Sequence, residues 1–177
     1  IYSKNPDERV TMAALTNIMT AVLICENIDD LESTVMTVPD EAVTSLLGTG
    51  AAIANLKIGE EITANDVLHA IILNSAPDCA ITAAVHIAGS VSGFVELMNK
   101  KAEALKLTET HFANVTGLDG TDHYTTALDM CRLARHAYNI TAIREASRLK
   151  RYTIPKTNKS NERILSTTNY LVDIATN

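Results

Sequence analysis

A long apolar helix near the start of the chain constrains the fold more than any other segment. Over residues 13–26 the apolar side chains recur at helical spacing and cover most of the helix surface. They are Leu15, Ile18, Met19, Val22, Leu23 and Cys25. A helix that is apolar on most sides has to be enclosed by other elements. The sequence therefore predicts a central, buried helix with the remaining elements packed around it.

The rest of the chain is predicted to be mostly helical, with few and short strands. Helices are expected over residues 41–47, 66–74, 78–88, 91–105, 125–138 and 141–148. The predicted caps are Asn65 or Thr63 for the helix over 66–74, Ser90 for 91–105, and Thr125 or Thr126 for 125–138. A β-branched run over 34–38 predicts a strand, and 151–155 with 163–167 predict a hairpin. The sequence contains no internal repeat, low-complexity tract or linker, so we expect residues 1–177 to form one α+β domain.

Composition and charge exclude several classes of protein. The formal net charge is −6, which argues against nucleic-acid binding because such proteins concentrate Lys and Arg. No run of about 18 apolar residues occurs, so any membrane association is expected to come from segments outside this sequence. Residues 1–8 lack the basic start and apolar centre of a signal peptide. A targeting segment is therefore expected to be removed or to lie outside residues 1–177.

The cysteines and histidines do not follow a metal-binding or disulfide pattern. Cys25, Cys79 and Cys131 are widely spaced and lie in apolar helical patterns, which predicts small buried side chains. The histidines form neither H-x-x-H nor H-E-x-x-H. We therefore predict no metal site and no cofactor. His123 is interpreted as a loop residue that precedes a helix cap.

The start of the predicted central helix carries a pattern that is similar to a catalytic motif. Residues 12–20 have the sequence M-A-A-L-T-N-I-M-T. They resemble P-A-S-L-T-K-I-M-T, the first catalytic motif of the serine D-alanyl-D-alanine carboxypeptidases. In that motif a Ser and a Lys occupy positions i and i+3, on one face of a helix. Here these two positions are Ala14 and Asn17.

Later segments resemble the same family in the same order. Residues 73–80 resemble the second motif, S-[AG]-N-D-A-A, with Ser75 at its Ser and Pro77 at its Asn. Residues 89–99, 112–118 and 123–130 are similar to the family segments G-S-x-x-x-F-V-x-x-M-N, F-x-N-x-T-G-L and S-T-A-x-D. The sequence is thus similar over nearly its whole length to peptidase S11, the low-molecular-mass penicillin-binding proteins.

The resemblance implies a DD-peptidase and β-lactamase-like fold. It also implies that this sequence holds the predominantly helical part of the domain. The third motif, K-T-G, does not occur in residues 1–177, and residues 1–5 resemble the end of the family's second strand. The resemblance therefore implies a sheet that is incomplete at both ends of this sequence, and a truncated domain.

The chemistry of the first motif requires the two groups that are replaced here. A serine hydroxyl attacks a carbonyl only when a base removes its proton, and a desolvated lysine can serve as that base. Ala14 carries no nucleophile, and the Asn17 amide cannot take up a proton usefully at neutral pH. Pro77 has no side-chain donor. Ser75 remains as the substrate-binding candidate, with a local bond from its hydroxyl to the backbone as the competing interpretation.

Three functions follow as hypotheses. The first is a catalytically degenerate carboxypeptidase homologue, for which the resemblance implies a location outside the cytoplasmic membrane, in the cell envelope. It would bind a peptidoglycan stem peptide or a cell-wall enzyme without cleavage. The second is an active serine carboxypeptidase, if Ala14 and Asn17 are laboratory substitutions or another residue has taken over. The third is a structural interaction module.

Overall fold

Helices account for most of the regular structure in the computed structural model, which describes residues 3–118, 120 and 122–174. In chain order the helices are α1 (Thr16–Asn27), α2 (Asp40–Thr44), α3 (Ala64–Asn74), α4 (Pro77–Ala88), α5 (Val91–Ala104), α6 (Ala127–Tyr138), α7 (Thr141–Ala146) and α8 (Tyr170–Ile174). The strands are β1 (Val10–Thr11), β2 (Val35–Thr37), β3 (Glu61–Thr63), β4 (Tyr124–Thr125), β5 (Arg151–Ile154) and β6 (Arg163–Ser166). The predicted α+β class, with a predominance of helices, is confirmed.

Helix α1 lies at the centre of the other helices, as its apolar surface predicts. It contacts α3, α4, α5, α6 and α7. The side chains of Met19, Val22 and Ile24 are fully buried by these contacts. The beginning of the helix differs from the prediction, because Ala13–Leu15 form a 3₁₀ turn and α1 begins only at Thr16. Ala13 has a positive φ of 44°, which an α-helix does not accommodate.

The strands form separate antiparallel pairs: β1 with β4, β2 with β3, and β5 with β6. In the second pair Met36 lies opposite Ile62, and both side chains are buried on the same face. The predicted strand over 34–38 and the predicted hairpin are confirmed within a residue or two. Of the strand end expected over residues 1–5, residues 1 and 2 lie outside the described residues, and residues 3–5 are not in a strand.

Local hydrogen bonds fix where several helices begin. The hydroxyls of Thr63, Ser90 and Thr126 accept backbone N–H bonds at the starts of α3, α5 and α6. These side chains satisfy donors that a helix leaves without an internal partner. All three residues are among the caps that the sequence predicts. Gly89 ends α4 with a φ of 74°, a conformation that glycine adopts without strain.

The cysteine prediction is wrong for one residue. Cys79 is buried and Cys25 is partly buried, but Cys131 is exposed. Helix α6 turns Met130, Leu133 and Ala137 towards the core. Cys131 follows Met130 directly, so the helical rotation carries its side chain onto the outer face.

The helices of the described residues were also compared with the length and hydropathy that a membrane span requires. No single one of them meets both conditions. Helices α4 and α5 meet them only when taken as a pair, and the pair is bent by 85°.

Candidate functional site

The four predicted site positions come from two segments of the fold. Ala14 and Asn17 lie at the 3₁₀ turn and in the first turn of α1, whereas Ser75 and Pro77 lie at the junction of α3 and α4. Helix α1 packs against both α3 and α4, so the two segments belong to neighbouring elements.

The first segment combines an exposed methyl group with a buried amide. Ala14 is exposed, while Asn17 retains only 6% of its surface. Neither Oδ1 nor Nδ2 of Asn17 has a hydrogen-bond partner among the described residues, and the fully buried Thr20 hydroxyl also lacks one. An unpaired buried polar group costs about 1–3 kcal/mol.

The second segment contains Ser75, the residue that the sequence resemblance predicts as the serine of the second motif. Ser75 ends α3 in the left-handed conformation, with a φ of 54°, and is partly exposed. Its backbone N–H donates to the Ile71 carbonyl at 3.0 Å. Its hydroxyl forms no hydrogen bond to a described residue, so the local side-chain bond to backbone that the sequence suggested is not observed. The hydroxyl is left to interact with solvent or with a ligand.

Pro77 suits the beginning of a helix. It occupies the first position of α4, where a backbone N–H has no partner inside the helix. Ala76, which precedes it, is extended, as a residue before proline prefers. The proline therefore supports the fold at this junction, but it provides no side-chain hydrogen bond to a neighbour or to a ligand.

Asp78 fixes the same junction, in a way that the sequence patterns did not predict. Its buried carboxylate accepts backbone N–H bonds from Ala54 at 3.0 Å, Leu56 at 3.1 Å and Cys79 at 3.0 Å. Burial raises the pKa of this carboxyl group, and the backbone bonds counteract only part of that increase. The contacts attach the segment around residues 54–56 to the start of α4.

A buried histidine holds the first turn of α1. The Ala113 N–H donates to Nδ1 of His123 at 3.1 Å, so the ring proton must lie on Nε2. Nε2 then donates to the Thr16 hydroxyl at 2.7 Å, and that hydroxyl donates to the Ala13 carbonyl at 2.7 Å. Because His123 is only 3% exposed, it is more than the loop residue that the sequence suggested.

The loop that precedes His123 packs directly against the 3₁₀ turn. Asn114 Oδ1 accepts from the N–H groups of Thr116 and Gly117, which closes a compact turn. Gly117 has a φ of 72°, and a Cβ atom placed there would overlap the Ala13 carbonyl. Only glycine permits both the conformation and the close approach. The backbone around Ala14 is thus positioned by contacts with a distant segment.

The His123 network predicts a specific pH dependence of stability. Burial, followed by the nearby His111, lowers the pKa of His123 from its ordinary value of 6.5. The folded state therefore favours the neutral ring, and this contribution to stability is complete above pH 6.5. It is lost as the pH falls from 6.5 towards the lowered pKa, by at most about 1.4 kcal/mol per pH unit for one proton.

Urea unfolding of the wild type and of the His123→Gln variant between pH 7.5 and 5 would measure the contribution of neutral His123 to the free energy of unfolding. The variant lacks the titrating ring, so its stability should change less with pH in this range. If the free energy of unfolding changed equally with pH in the two proteins, the lowered pKa of His123 would be contradicted.

The described residues also bear on metal binding. Within residues 3–118, 120 and 122–174, no group of three or more His, Cys, Asp and Glu side chains lies close enough together to hold one ion.

A cavity of about 270 Å³ adjoins the loop at Gly117. Its lining includes Glu41 and Ser45 from the α2 region, together with Asn114, Thr116 and Leu118 from the loop.

Comparison with known proteins identifies related sequences. The family model for D-alanyl-D-alanine carboxypeptidase, peptidase S11, matches residues 1–176. The D-alanyl-D-alanine carboxypeptidase DacF of Bacillus subtilis (strain 168) is 38% identical over 137 residues, which cover 76% of this chain. DacD of Escherichia coli (strain K12) is 32% identical over 140 residues, which cover 74% of this chain. The matches span 34% and 35% of these two relatives, about a third of their length.

Solved structures show the same relationship at the level of the fold. The Streptomyces K15 DD-transpeptidase is 26% identical, with a TM-score of 0.88, over 97% of this chain and 69% of that one. Penicillin-binding protein 6B from Escherichia coli is 27% identical, with a TM-score of 0.85, over 97% of this chain and 54% of that one. Since the family model matches nearly every residue and the fold agrees, the chain belongs to the D-alanyl-D-alanine carboxypeptidase family, peptidase S11.

Proposed function

We propose that this chain recognises a peptidoglycan stem peptide without cleaving it, as a catalytically degenerate member of its family. The proposal treats residues 1–177 as one DD-carboxypeptidase-like domain that acts outside the cytoplasmic membrane, in the cell envelope. The observation that carries it is the pair formed by Ala14 and Asn17. A methyl group and a neutral amide occupy the positions of the nucleophile and its base, in a fold that otherwise matches the family.

Neighbouring hydroxyls do not replace the missing nucleophile. Thr16 is fully buried, and its hydroxyl is already bonded to His123 and to the Ala13 carbonyl. Thr20 is also fully buried. A hydroxyl that attacks a substrate needs access to it and an adjacent base. Neither threonine meets the first condition, and Asn17 cannot provide the second.

Hydrogen-bonding groups that suit a peptide remain. The Ser75 hydroxyl is partly exposed and forms no bond to a described residue, so it can donate to a peptide carbonyl or accept from a peptide N–H. The cavity at the loop over residues 114–118 adds further polar groups, from Glu41, Ser45 and Asn114. These groups favour the peptide over a cell-wall enzyme as the partner.

Labelling and binding measured on the intact protein test the proposal. Fluorescent penicillin is expected to leave no covalent adduct on intact-mass analysis, and a D-Ala-D-Ala peptide is expected to release no D-alanine. Loss of the nucleophile in a serine hydrolase costs about a million-fold in turnover. In an NMR titration the same peptide should bind saturably, with shifts near residue 75. Ser75→Ala should weaken binding about fivefold, the value of one ordinary hydrogen bond.

Three controls sharpen this test. The triple variant Ala14→Ser, Asn17→Lys, Pro77→Asn restores the motif residues and should gain penicillin labelling. Ser166→Ala removes an exposed hydroxyl on β6 and should leave peptide binding unchanged. A peptide that ends in L-Ala-L-Ala should bind more weakly. A penicillin adduct on the wild type would contradict the loss of catalysis, and absence of peptide binding at millimolar concentration would contradict the choice of ligand.

A further inference from the structure

A second concave site lies between the end of α5 and the C-terminal half of α6. The cavity measures about 370 Å³. Its lining consists of Leu105, Lys106, Arg132, Arg135, His136 and Asn139. Four of these six side chains carry or can carry a positive charge, although the chain as a whole has a formal charge of −6. None of the predicted family positions at 14, 17, 75 and 77 contributes to it.

The hydrogen bonds leave much of this charge available. Arg132 donates to Asp129 Oδ1 at 2.9 Å and to the Lys106 carbonyl at 3.3 Å, both through one guanidinium nitrogen. His136 is bonded to Glu26 at 3.0 Å. The Lys106 ammonium and the Arg135 guanidinium form no hydrogen bond or ion pair with a described residue, and both residues are exposed. The charges of Lys106 and Arg135 therefore have no counter-charge among the described residues, and Arg132 beside them is paired with Asp129 through one of its nitrogens.

The helix dipole explains only part of this arrangement. Cations in the last turn of a helix interact favourably with its dipole, which accounts for Arg135 and His136 at the end of α6. Arg132 lies in the middle of α6 and is 43% exposed at its side chain. Lys106 lies beyond the end of α5. The dipole of α6 therefore does not account for Lys106 or Arg132, and Arg132 is held at the cavity by its bonds to Asp129 and to the Lys106 carbonyl.

The backbone conformation of Lys106 differs from that of a typical helix end. Leu107 N–H donates to the Ala102 carbonyl and Lys106 N–H to the Glu103 carbonyl, both at 2.9 Å. This is the pattern in which the left-handed residue is usually glycine. Lys106 adopts that conformation with a φ of 57°. A lysine is thus held at a position where glycine would be less strained, and this residue borders the cavity.

We propose that this cavity binds a phosphate-type oxyanion. Guanidinium groups form paired hydrogen bonds with phosphate oxygens, and a lysine ammonium adds a compact charge with three donors. A tetrahedral oxyanion offers acceptors in several directions, so it can use donors from Lys106, Arg132 and Arg135 together. A planar carboxylate is satisfied by a single guanidinium. The site is separate from the proposed peptide site and does not depend on it.

Titration of the intact protein with inorganic pyrophosphate tests this proposal. At low ionic strength we expect saturable NMR shifts confined to residues 105–106 and 132–139. The double variant Lys106→Gly, Arg135→Gln should weaken binding at least tenfold. Glycine suits the φ of residue 106, so a loss of binding in this variant would not reflect unfolding. The matched control Arg151→Gln, Lys156→Gln changes the net charge equally at exposed positions outside the cavity and should bind as the wild type does.

Comparison ligands decide the chemistry and the source of the anion. Citrate should bind at least tenfold more weakly than pyrophosphate; equal affinities would overturn the assignment to phosphate. Equal weakening in both double variants, or the absence of saturable binding, would overturn the site itself. Vesicles of phosphatidylcholine with phosphatidylglycerol separate a lipid headgroup from a soluble phosphate. Binding to them that is lost in the cavity variant supports the lipid source, and pyrophosphate binding alone supports the soluble source.

Discussion

Replacing Gly117 with alanine is expected to lower the free energy of unfolding by about 3 kcal/mol or more. The new methyl group would overlap the Ala13 carbonyl, and it would lie 3.2 Å from the Ala14 nitrogen. The backbone cannot easily move away, because the Ala13 carbonyl accepts the Thr16 hydroxyl, which is in turn bonded to His123. The positive φ at residue 117 adds about 1–2 kcal/mol for any side chain. Urea unfolding followed by circular dichroism would measure the loss.

Gly50→Ala is the matched control for this prediction. Gly50 has a similar φ of 69°, but a Cβ atom there would meet nothing within 4 Å. Its replacement should therefore cost only the conformational penalty, about 1–2 kcal/mol. If the two variants lost the same stability, the close approach of the loop to the 3₁₀ turn would be refuted. A much larger loss of stability in Gly117→Ala than in Gly50→Ala would show that the loop packs against the 3₁₀ turn before α1.

Glu60→Ala should cost about 3–5 kcal/mol, because it leaves a largely buried arginine without its counter-charge. The Glu60 side chain is fully buried and pairs with Arg163 at 2.6 Å, whose own side chain is only 16% exposed. The same carboxylate accepts from the Thr157 hydroxyl at 2.8 Å and from the Lys57 N–H at 2.9 Å. These bonds attach the loop of the β5–β6 hairpin to the segment that precedes β3. Chemical unfolding of the variant would measure the effect.

Glu109→Ala provides the comparison for a surface pair. Arg9 and Glu109 are 2.8 Å apart, but their side chains are 55% and 43% exposed. Breaking such a pair should change stability by less than about 1 kcal/mol. A loss at Glu60 no greater than the loss at Glu109 would contradict the role assigned to the buried pair.

Acid should weaken the Glu60 contact in a defined range. Burial is the largest influence and raises the pKa of Glu60. The hydrogen bonds from Thr157, Lys57 and Arg163, with the arginine charge, outweigh it and hold that pKa below the ordinary value of 4.5. The contribution of Glu60 to stability is therefore complete above pH 4.5 and is lost as the pH falls through the lowered pKa.

Features that depend on neighbours in the sequence were predicted well. Thr63, Ser90 and Thr126 each cap a helix through an N–H only three residues away. Such contacts form whenever the helix forms, so the residue type at one position is informative. The apolar spacing of α1 also predicts its central place, because a helix with no polar face has no stable position on the surface.

Features that depend on distant residues were not predicted. His123 and Thr16 are 107 positions apart, and Ala54 meets the Asp78 carboxylate across 24 positions. No periodic pattern links such residues, since their contact arises only after the helices have packed. The glycine of the T-G-L segment is the one signal that could have indicated a close approach of backbones at Gly117, because glycine often marks such a contact.

The sequence by itself indicated the family, the central helix, and that Ala14 and Asn17 stand where the resemblance predicts a nucleophile and its base. These properties depend on residue identity and on spacings of a few positions. Only the tertiary structure decided that the Asn17 amide is buried with no hydrogen-bond partner among the described residues, that His123 holds the turn before it, and that Lys106 lies beside Arg132 and Arg135 of α6. Each of these depends on contacts between segments far apart in the chain, where burial and geometry determine which polar groups are paired.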